Sequence, residues 1–235
     1  MINLMSFYYR DNFKYQRKDN LDYIRESLKI HIDSLQLFGW NEQSLVIKTN
    51  FDFQYKNIKA IPFQHNRPID NLFFSKIIAA YEMLLIYPNE IIWQHDHDTL
   101  QLRVFPSNID QLLTHDITMC SRWEGNPDPN SASVFYRGIS KTLTDIYNYI
   151  NIPNPVFLQK KYTDEDIFIH FRNTGYDVDT SLPFEYNTSL TKFSSRRRKS
   201  DAPFCVHGDP FRRRWDSHQY LKYKEGILKE NNNKM

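Results

Sequence analysis

The chain has 235 residues, enough for one sizeable core, and carries 30 lysines and arginines against 28 acidic residues, a formal charge of +2. That balance argues against a general polyanion binder, the two distant cysteines against a disulfide or zinc scaffold, and the 6 glycines against a glycine-rich phosphate cradle. No run of about 18 apolar residues occurs, and the opening "MINLMSFYYRDNFKYQRKDN" has its charges after its apolar piece, so a cytoplasmic protein without a membrane span is expected.

"INLMSFYY" is mostly apolar and aromatic and predicts a first buried strand. Leu21, Ile24, Leu28, Ile32 and Leu35 then recur at three- and four-residue steps. With Asp19 or Asn20 to cap the start and Gly39 just beyond the end, they predict a helix. "SLVIKT" and "IKAIPF" predict two short strands, and residues 70–87, apolar nearly all round, predict a helix buried against a sheet and ended by Pro88. "EIIWQ" predicts the next strand, "DITMCSRW" and "SASVFYRG" two more, and "KTLTDIYNYI" a helix closed by the Pro153 and Pro155 region. Strand and helix alternate through the first half, so the expected fold is an α/β mixed sheet with helices on both faces. One domain over residues 1–224 is expected, followed by a polar tail at 225–235.

The stretch "IIWQHDHD" sets His95, Asp96, His97 and Asp98 where a strand leaves the sheet. In open α/β sheets, ligands sit beyond the carboxyl ends of the strands. Residues i and i+2 of a strand share a face, so Asp96 and Asp98 can present both carboxylates to one hard divalent cation. The alternative for such an isolated pair is a solvated strand end entering a loop. A phosphohydrolase site, which collects its histidines and aspartates from separated helices, fits the compact cluster poorly.

Two later stretches extend the pattern: "YTDEDIFIHFRNTGYDVDTSLPFEYN" and "APFCVHGDPFRRRW". In this order the three resemble the motifs of the GT-A glycosyltransferases, and within them the family of glycogenin and the bacterial lipopolysaccharide galactosyltransferases. The resemblance spans roughly residues 2–220 and implies a GT-A-like (Rossmann-like) fold. It further implies that Asp96, Asp98 and His207 hold Mn2+ (or Mg2+) on the diphosphate of a nucleotide diphosphate sugar. Lys76 matches the family's basic residue on the buried helix, and Asp164, Glu165 and Asp166 stand in the place of its catalytic D-Q-D segment. Gly208, Arg212, Arg213, Arg214 and Trp215, with Lys76 and Asp96, are the implied donor contacts. Glu165 stands where the family has glutamine, and "HGDPFRRRW" departs from the family's glycine-to-lysine spacing.

The chemistry needs such residues. Transfer of a sugar creates an oxocarbenium-like centre and a leaving group whose negative charge grows as the bond breaks. A divalent ion is a Lewis acid for that charge, manganese accepts mixed oxygen and nitrogen ligands, and lysine and arginine add positive charge to the same oxygens. The expected activity is that of a hexosyl- or pentosyltransferase acting on a hydroxyl of a glycan, a protein or a hydroxylated base in nucleic acid. Duller roles stand beside these: Asp164 and Asp166 as an acidic helix N-terminus, His207 as a hydrogen-bonded strand-end histidine. Arg196, Arg197, Arg198 and Lys199 are a solvated charged loop or a contact for DNA or RNA. The competing function is a non-catalytic nucleic-acid-binding module that uses the two arginine clusters.

Overall fold

The computed structural model of the chain describes residues 1–9, 21–65, 71–96, 99–123, 125–152, 162–189 and 204–207. The first strand, β1 (Ile2–Phe7), leads to α1 (Leu21–Leu37), β2 (Leu45–Thr49), a small hairpin of β3 (Gln54–Tyr55) and β4 (Ile58–Lys59), and β5 (Ile61–Pro62). There follow α2 (Ser75–Ile86), β6 (Ile91–His95), β7 (Thr99–Gln101), β8 (Ile117–Trp123), β9 (Asn126–Arg137) and α3 (Lys141–Asn151). The remaining elements are a helix at Asp164–Asn173, here α4, then β10 (Val178–Asp179), β11 (Thr188–Ser189) and β12 (Cys205–His207).

A seven-stranded sheet in the order β10-β8-β9-β6-β1-β2-β5 forms the centre. β1 runs parallel to β2 and β6, β2 to β5, and β10 to β8, while β9 is antiparallel to both of its neighbours. Both faces are covered, which is why β1 and β2 are buried at successive positions rather than at alternate ones, the polar Asn3, Ser6, Lys48 and Thr49 included. Ile24, Leu28, Ile32 and Leu35 of α1 pack on one face against Met5, Ile47, Trp93 and Phe135. The other face holds Ile77, Ala80 and Leu84 of α2, Leu143 and Ile146 of α3, and Ile167, Phe168 and Phe171 of α4. Each fully buried aliphatic or aromatic side chain contributes about 1.5–3 kcal/mol, so the layers hold each other. The expected mixed α/β sheet, covered on both faces, is the fold observed.

Three boundaries differ from the sequence reading, each for a local reason. "IKAIPF" is two strands: the Ala60 amide donates to Phe53 O at 2.9 Å, so the hairpin ends there and Ile61–Pro62 pairs separately at the sheet edge. The helix expected over 70–87 begins at Ser75, behind a 3-10 turn at Leu72–Phe74 capped by Asn71. β9 begins at Asn126 rather than Ser131, because Pro127 and Pro129, which argue against a strand, fall where its ladder with β8 is broken by register shifts. Asp19 and Asn20, the expected caps of α1, lie outside the described residues, as does the tail at 225–235. Gly39, just past α1, adopts φ +90°, the left-handed conformation expected at a helix end.

The parallel strands β1, β2, β5 and β6 share one carboxyl edge. From that edge β7 leaves the large sheet and joins a second, three-stranded one in the order β11-β12-β7. β12 lies antiparallel to β7 with His207 opposite Thr99, so a strand from near the end of the sequence returns to where β6 ends. Among the described residues no helix is long and apolar enough to cross a membrane.

Candidate active site

β6 sends its successive side chains to opposite faces, and this separates the first two members of the HDHD stretch. His95 is fully buried and stacks on His31 of α1, ring centroids 5.0 Å apart. Burial lowers its pKa to about 4, so it is neutral at physiological pH. Its Nδ1 lies 3.1 Å from the Asp96 carbonyl oxygen and therefore carries the proton. Nε2 must then accept, and its partner 2.9 Å away is the Asn3 side-chain amide. A neutral ring fixes that amide with its NH2 toward His95, which also supplies the acceptor that the buried Asn3 nitrogen otherwise lacks. His95 is part of the core.

Asp96 faces the other way, toward α2. Its backbone N–H donates to Ala132 O at 3.0 Å, and its carbonyl accepts the Thr99 N–H at 3.0 Å, which fixes the point where β6 turns into β7. Its carboxylate meets Lys76, the second residue of α2. Lys76 Nζ lies 2.9 Å from Asp96 Oδ1 and 2.8 Å from Asp164 Oδ2, and donates to the carbonyl and hydroxyl oxygens of Ser131, each at 3.1 Å. Burial alone would lower the Lys76 pKa; the charges and hydrogen bonds of Asp164 and Asp96 outweigh it and hold the ammonium well above the usual lysine range. Lys76 is a fixed cation and not a base.

The "TDED" stretch forms the start of α4 through a capping box. Asp166 accepts the Thr163 N–H at 2.7 Å, and the Thr163 hydroxyl accepts the Asp166 N–H at 3.3 Å. The carboxylate of Asp166 thus holds the helix end, and that fixed end turns Asp164 inward, where it is 3% exposed, onto Lys76. Glu165 faces the strands: its Oε2 pairs with Arg122 of β8, and its Oε1 accepts the Ser131 N–H at 3.3 Å. Tyr136, buried on the same face, is kept a neutral phenol by burial and by the Asp164 charge.

Ser131 joins the two groups, because its N–H serves Glu165 while its carbonyl and hydroxyl serve Lys76. It can do so because β9 is irregular there. Met119 is opposite Val134 but Ser121 is opposite Pro129, so Ser131 is left out of the β8 ladder and its N–H and carbonyl meet side chains instead.

Of the expected site residues, the structure brings Lys76, Asp96 and Asp164 into direct contact, sets Glu165 beside them through Ser131, and employs Asp166 in the cap. For His207 the backbone register is described, opposite Thr99. Asp98, Gly208, Arg212, Arg213, Arg214 and Trp215 lie outside the described residues, as do Arg196, Arg197, Arg198 and Lys199. Among the described residues no three or more His, Cys, Asp or Glu side chains gather as a metal-ligand set. Sequence reasoning missed Ser131 and Arg122. Two prolines in a strand were a signal for the irregular ladder that frees Ser131, whereas nothing local marks Arg122.

No family model matches the sequence, and no curated protein matches it. Solved structures do. The glycosyltransferase GlyE of Streptococcus pneumoniae is similar with a TM-score of 0.60 at 12% identity, over 97% of this chain and 63% of that one. Mouse xyloside xylosyltransferase 1 gives 0.53 at 14% identity over 88% and 97% of the two chains. The galactosyltransferase LgtC, in complex with donor and acceptor sugar analogs, gives 0.53 at 12% over 96% of each. The fold is GT-A-like. In this GT-A-like fold the Lys76, Asp96 and Asp164 cluster lies at the carboxyl end of β6, the edge where open α/β sheets bind ligands.

Proposed function

We propose that this chain is a metal-dependent glycosyltransferase that moves a sugar from a nucleotide diphosphate donor to a hydroxyl acceptor, in the manner of the glycogenin and lipopolysaccharide galactosyltransferase family. The observation that carries this reading is a buried cation, Lys76, held between Asp96 and Asp164 at the carboxyl edge of a GT-A-like sheet. Structural ion pairs also occur at sheet edges, but this one is built by three separate elements. It also has a partly exposed member, the Asp96 side chain at 32%.

In this reading Asp96, Asp98 and His207 hold Mn2+ or Mg2+. Two carboxylates and a neutral imidazole are a donor set that manganese accepts, and the return of β12 to Thr99 supports His207 as the third member. The ion would supply Lewis-acid neutralisation of the departing diphosphate. The chain's own residues do the rest. Lys76 supplies a fixed positive charge that orients Asp96 and offsets the acids around it, and Gly208, Arg212, Arg213, Arg214 and Trp215 complete the donor contacts.

As the bond from the anomeric carbon to the diphosphate oxygen breaks, its electron pair leaves with the nucleotide. The acceptor oxygen bonds to the same carbon and gives up its proton to the departing diphosphate. Glu165, with both oxygens committed to Arg122 and the Ser131 amide, serves as a fixed anion beside the developing positive charge rather than as a nucleophile.

A thermal-shift screen of uridine and guanosine diphosphate hexoses and pentoses, with and without Mn2+, tests the proposal. A donor at a hundred times its Kd should stabilise the fold by about 2.7 kcal/mol, only with the metal, and Asp96→Asn should remove that metal dependence. Absence of any metal-dependent shift in the unmutated protein would overturn it.

A further inference from the structure

We infer that Arg122 is a positioning residue of this site: it holds the Glu165 carboxylate against the Ser131 amide, and thereby sets that anion in line with the Lys76, Asp96 and Asp164 cluster. The inference rests on the sugar-transfer reading and deepens it.

Three observations support it. Glu165 is the second residue of α4, next to Asp164 on Lys76 and to Asp166 in the capping box, so its backbone is held on both sides. A glutamate side chain still has three rotatable bonds, and a carboxylate fixed only at its Cα would sample several rotamers. Arg122 on one oxygen and the Ser131 N–H on the other select one of them.

The second observation is the route by which Arg122 arrives. In a regular strand its neighbours Ser121 and Trp123 would set its face by simple alternation. Here the β8 ladder shifts register between Met119 and Ser121 and again between Ser121 and Trp123, so Arg122 falls within the second irregularity. Such bulges re-aim side chains, and this one brings a guanidinium to α4.

The third is Ser131. The residue that receives Lys76 on its carbonyl and hydroxyl gives its amide to Glu165, so a displacement of Glu165 is felt at the residue that also seats Lys76. The Arg122 side chain is 38% exposed and that of Glu165 16%, so the pair faces the open side of the site rather than the core, and its contribution to stability is small. A guanidinium held for stability alone would gain little there.

The test is a kinetic cycle on the full chain: Arg122→Met, Arg122→Lys, Glu165→Gln and the double variant Arg122→Met/Glu165→Gln. The donor is the nucleotide diphosphate sugar that stabilises the unmutated protein with Mn2+, and released nucleoside diphosphate is measured. Arg122→Met should lower kcat by about a hundredfold, the cost of a small misplacement of a reacting group, while the donor KM stays within roughly threefold. Arg122→Lys should recover part of the loss. Because Arg122 acts through Glu165, adding Arg122→Met to Glu165→Gln should change little further, a non-additive cycle.

Unchanged kinetics in Arg122→Met would overturn the inference. So would a raised KM with intact kcat, which marks a direct donor contact, or full additivity in the cycle. If Arg122→Met does not fold, Arg122→Lys decides alone: a reduced kcat at constant KM supports positioning, and unmutated kinetics overturn it. An unmutated protein that turns over no sugar nucleotide would instead remove the sugar-transfer reading, and this inference with it; that failure is visible before any variant is made.

Discussion

Lys48 and Glu82 form an ion pair buried more completely than any in the site, and replacing one partner should be among the most damaging single changes in the protein. Lys48 Nζ of β2 lies 2.7 Å from Glu82 Oε2 of α2, with the two side chains 0% and 4% exposed. Lys48 also donates to Pro62 O at 3.2 Å, and both Glu82 oxygens accept the Gln64 N–H, at 3.1 and 3.0 Å. At 2.7 Å and an effective dielectric of about 20, the attraction is about 6 kcal/mol. That roughly matches a desolvation cost of several kcal/mol per ion, so the intact pair is near neutral for stability while a single orphaned charge is not. Lys48→Met, which leaves the Glu82 carboxylate alone, should cost about 3–5 kcal/mol, and Glu82→Gln a comparable amount. Because the amide oxygen introduced by Glu82→Gln would still accept the Gln64 N–H, the double variant Lys48→Met/Glu82→Gln should be more stable than either single variant. Urea denaturation of the four proteins at neutral pH, with the slope m checked for constancy, measures this. Single-variant costs below about 1 kcal/mol, as for a solvated pair, or strictly additive costs in the cycle, would refute the argument.

Three further expectations follow from the same geometry. Thr163→Ala removes one half of the capping box and should cost about 1 kcal/mol. Because Asp164 and Glu165 are set by that helix end, sugar-transfer kcat should fall beyond what the lost stability explains, as read from kinetics well below the melting temperature. Gly138→Ala should destabilise by about 1–3 kcal/mol, since the residue has φ +66° and its new Cβ would lie 2.9 Å from Pro88 O; a variant of unmutated stability in the same urea titration would contradict this. At the β8/β10 edge, the Asp177 hydrogen bond raises the His115 pKa against burial, and His115 in turn lowers that of Asp177 against its own burial. The His115 contribution is full below its ordinary value of 6.5 and is lost as pH rises through the raised one. That of Asp177 is present above 3.8 and is lost as pH falls through the lowered one. With side chains 46% and 47% exposed, the pair is worth less than about 1 kcal/mol after screening. Stability measured across pH in His115→Gln should lose this small decline on the alkaline side, and an unchanged slope would sink the assignment.

What was legible in the sequence is what neighbouring residues encode together. The spacing of Leu21, Ile24, Leu28, Ile32 and Leu35 predicts α1 because one helix face must be apolar to be buried, and the last four of them are its buried face. "EIIWQ" predicts β6, and the polar residues after it place Asp96 at a strand end, where the structure has it. The T-x-x-D spacing of Thr163 and Asp166 carries a capping signal of the same local kind. On sequence grounds Asp166 is an acidic helix start or a reacting group, and in the structure its carboxylate accepts the Thr163 N–H of the capping box.

The tertiary structure alone decided which distant groups share a charge. Lys76, Asp96, Ser131 and Asp164 come from four elements, and the interactions that join them depend on packing, burial and a broken β8/β9 ladder. The pairings of Arg122 with Glu165 and of Lys48 with Glu82 are likewise invisible along the chain. Hydrophobic periodicity reports whether a residue is buried, because burial follows the repeat of its own helix or strand. It carries no record of what lies on the far side of the contact. A charge is stabilised by its nearest partner in space, and only the folded chain determines which residue that is.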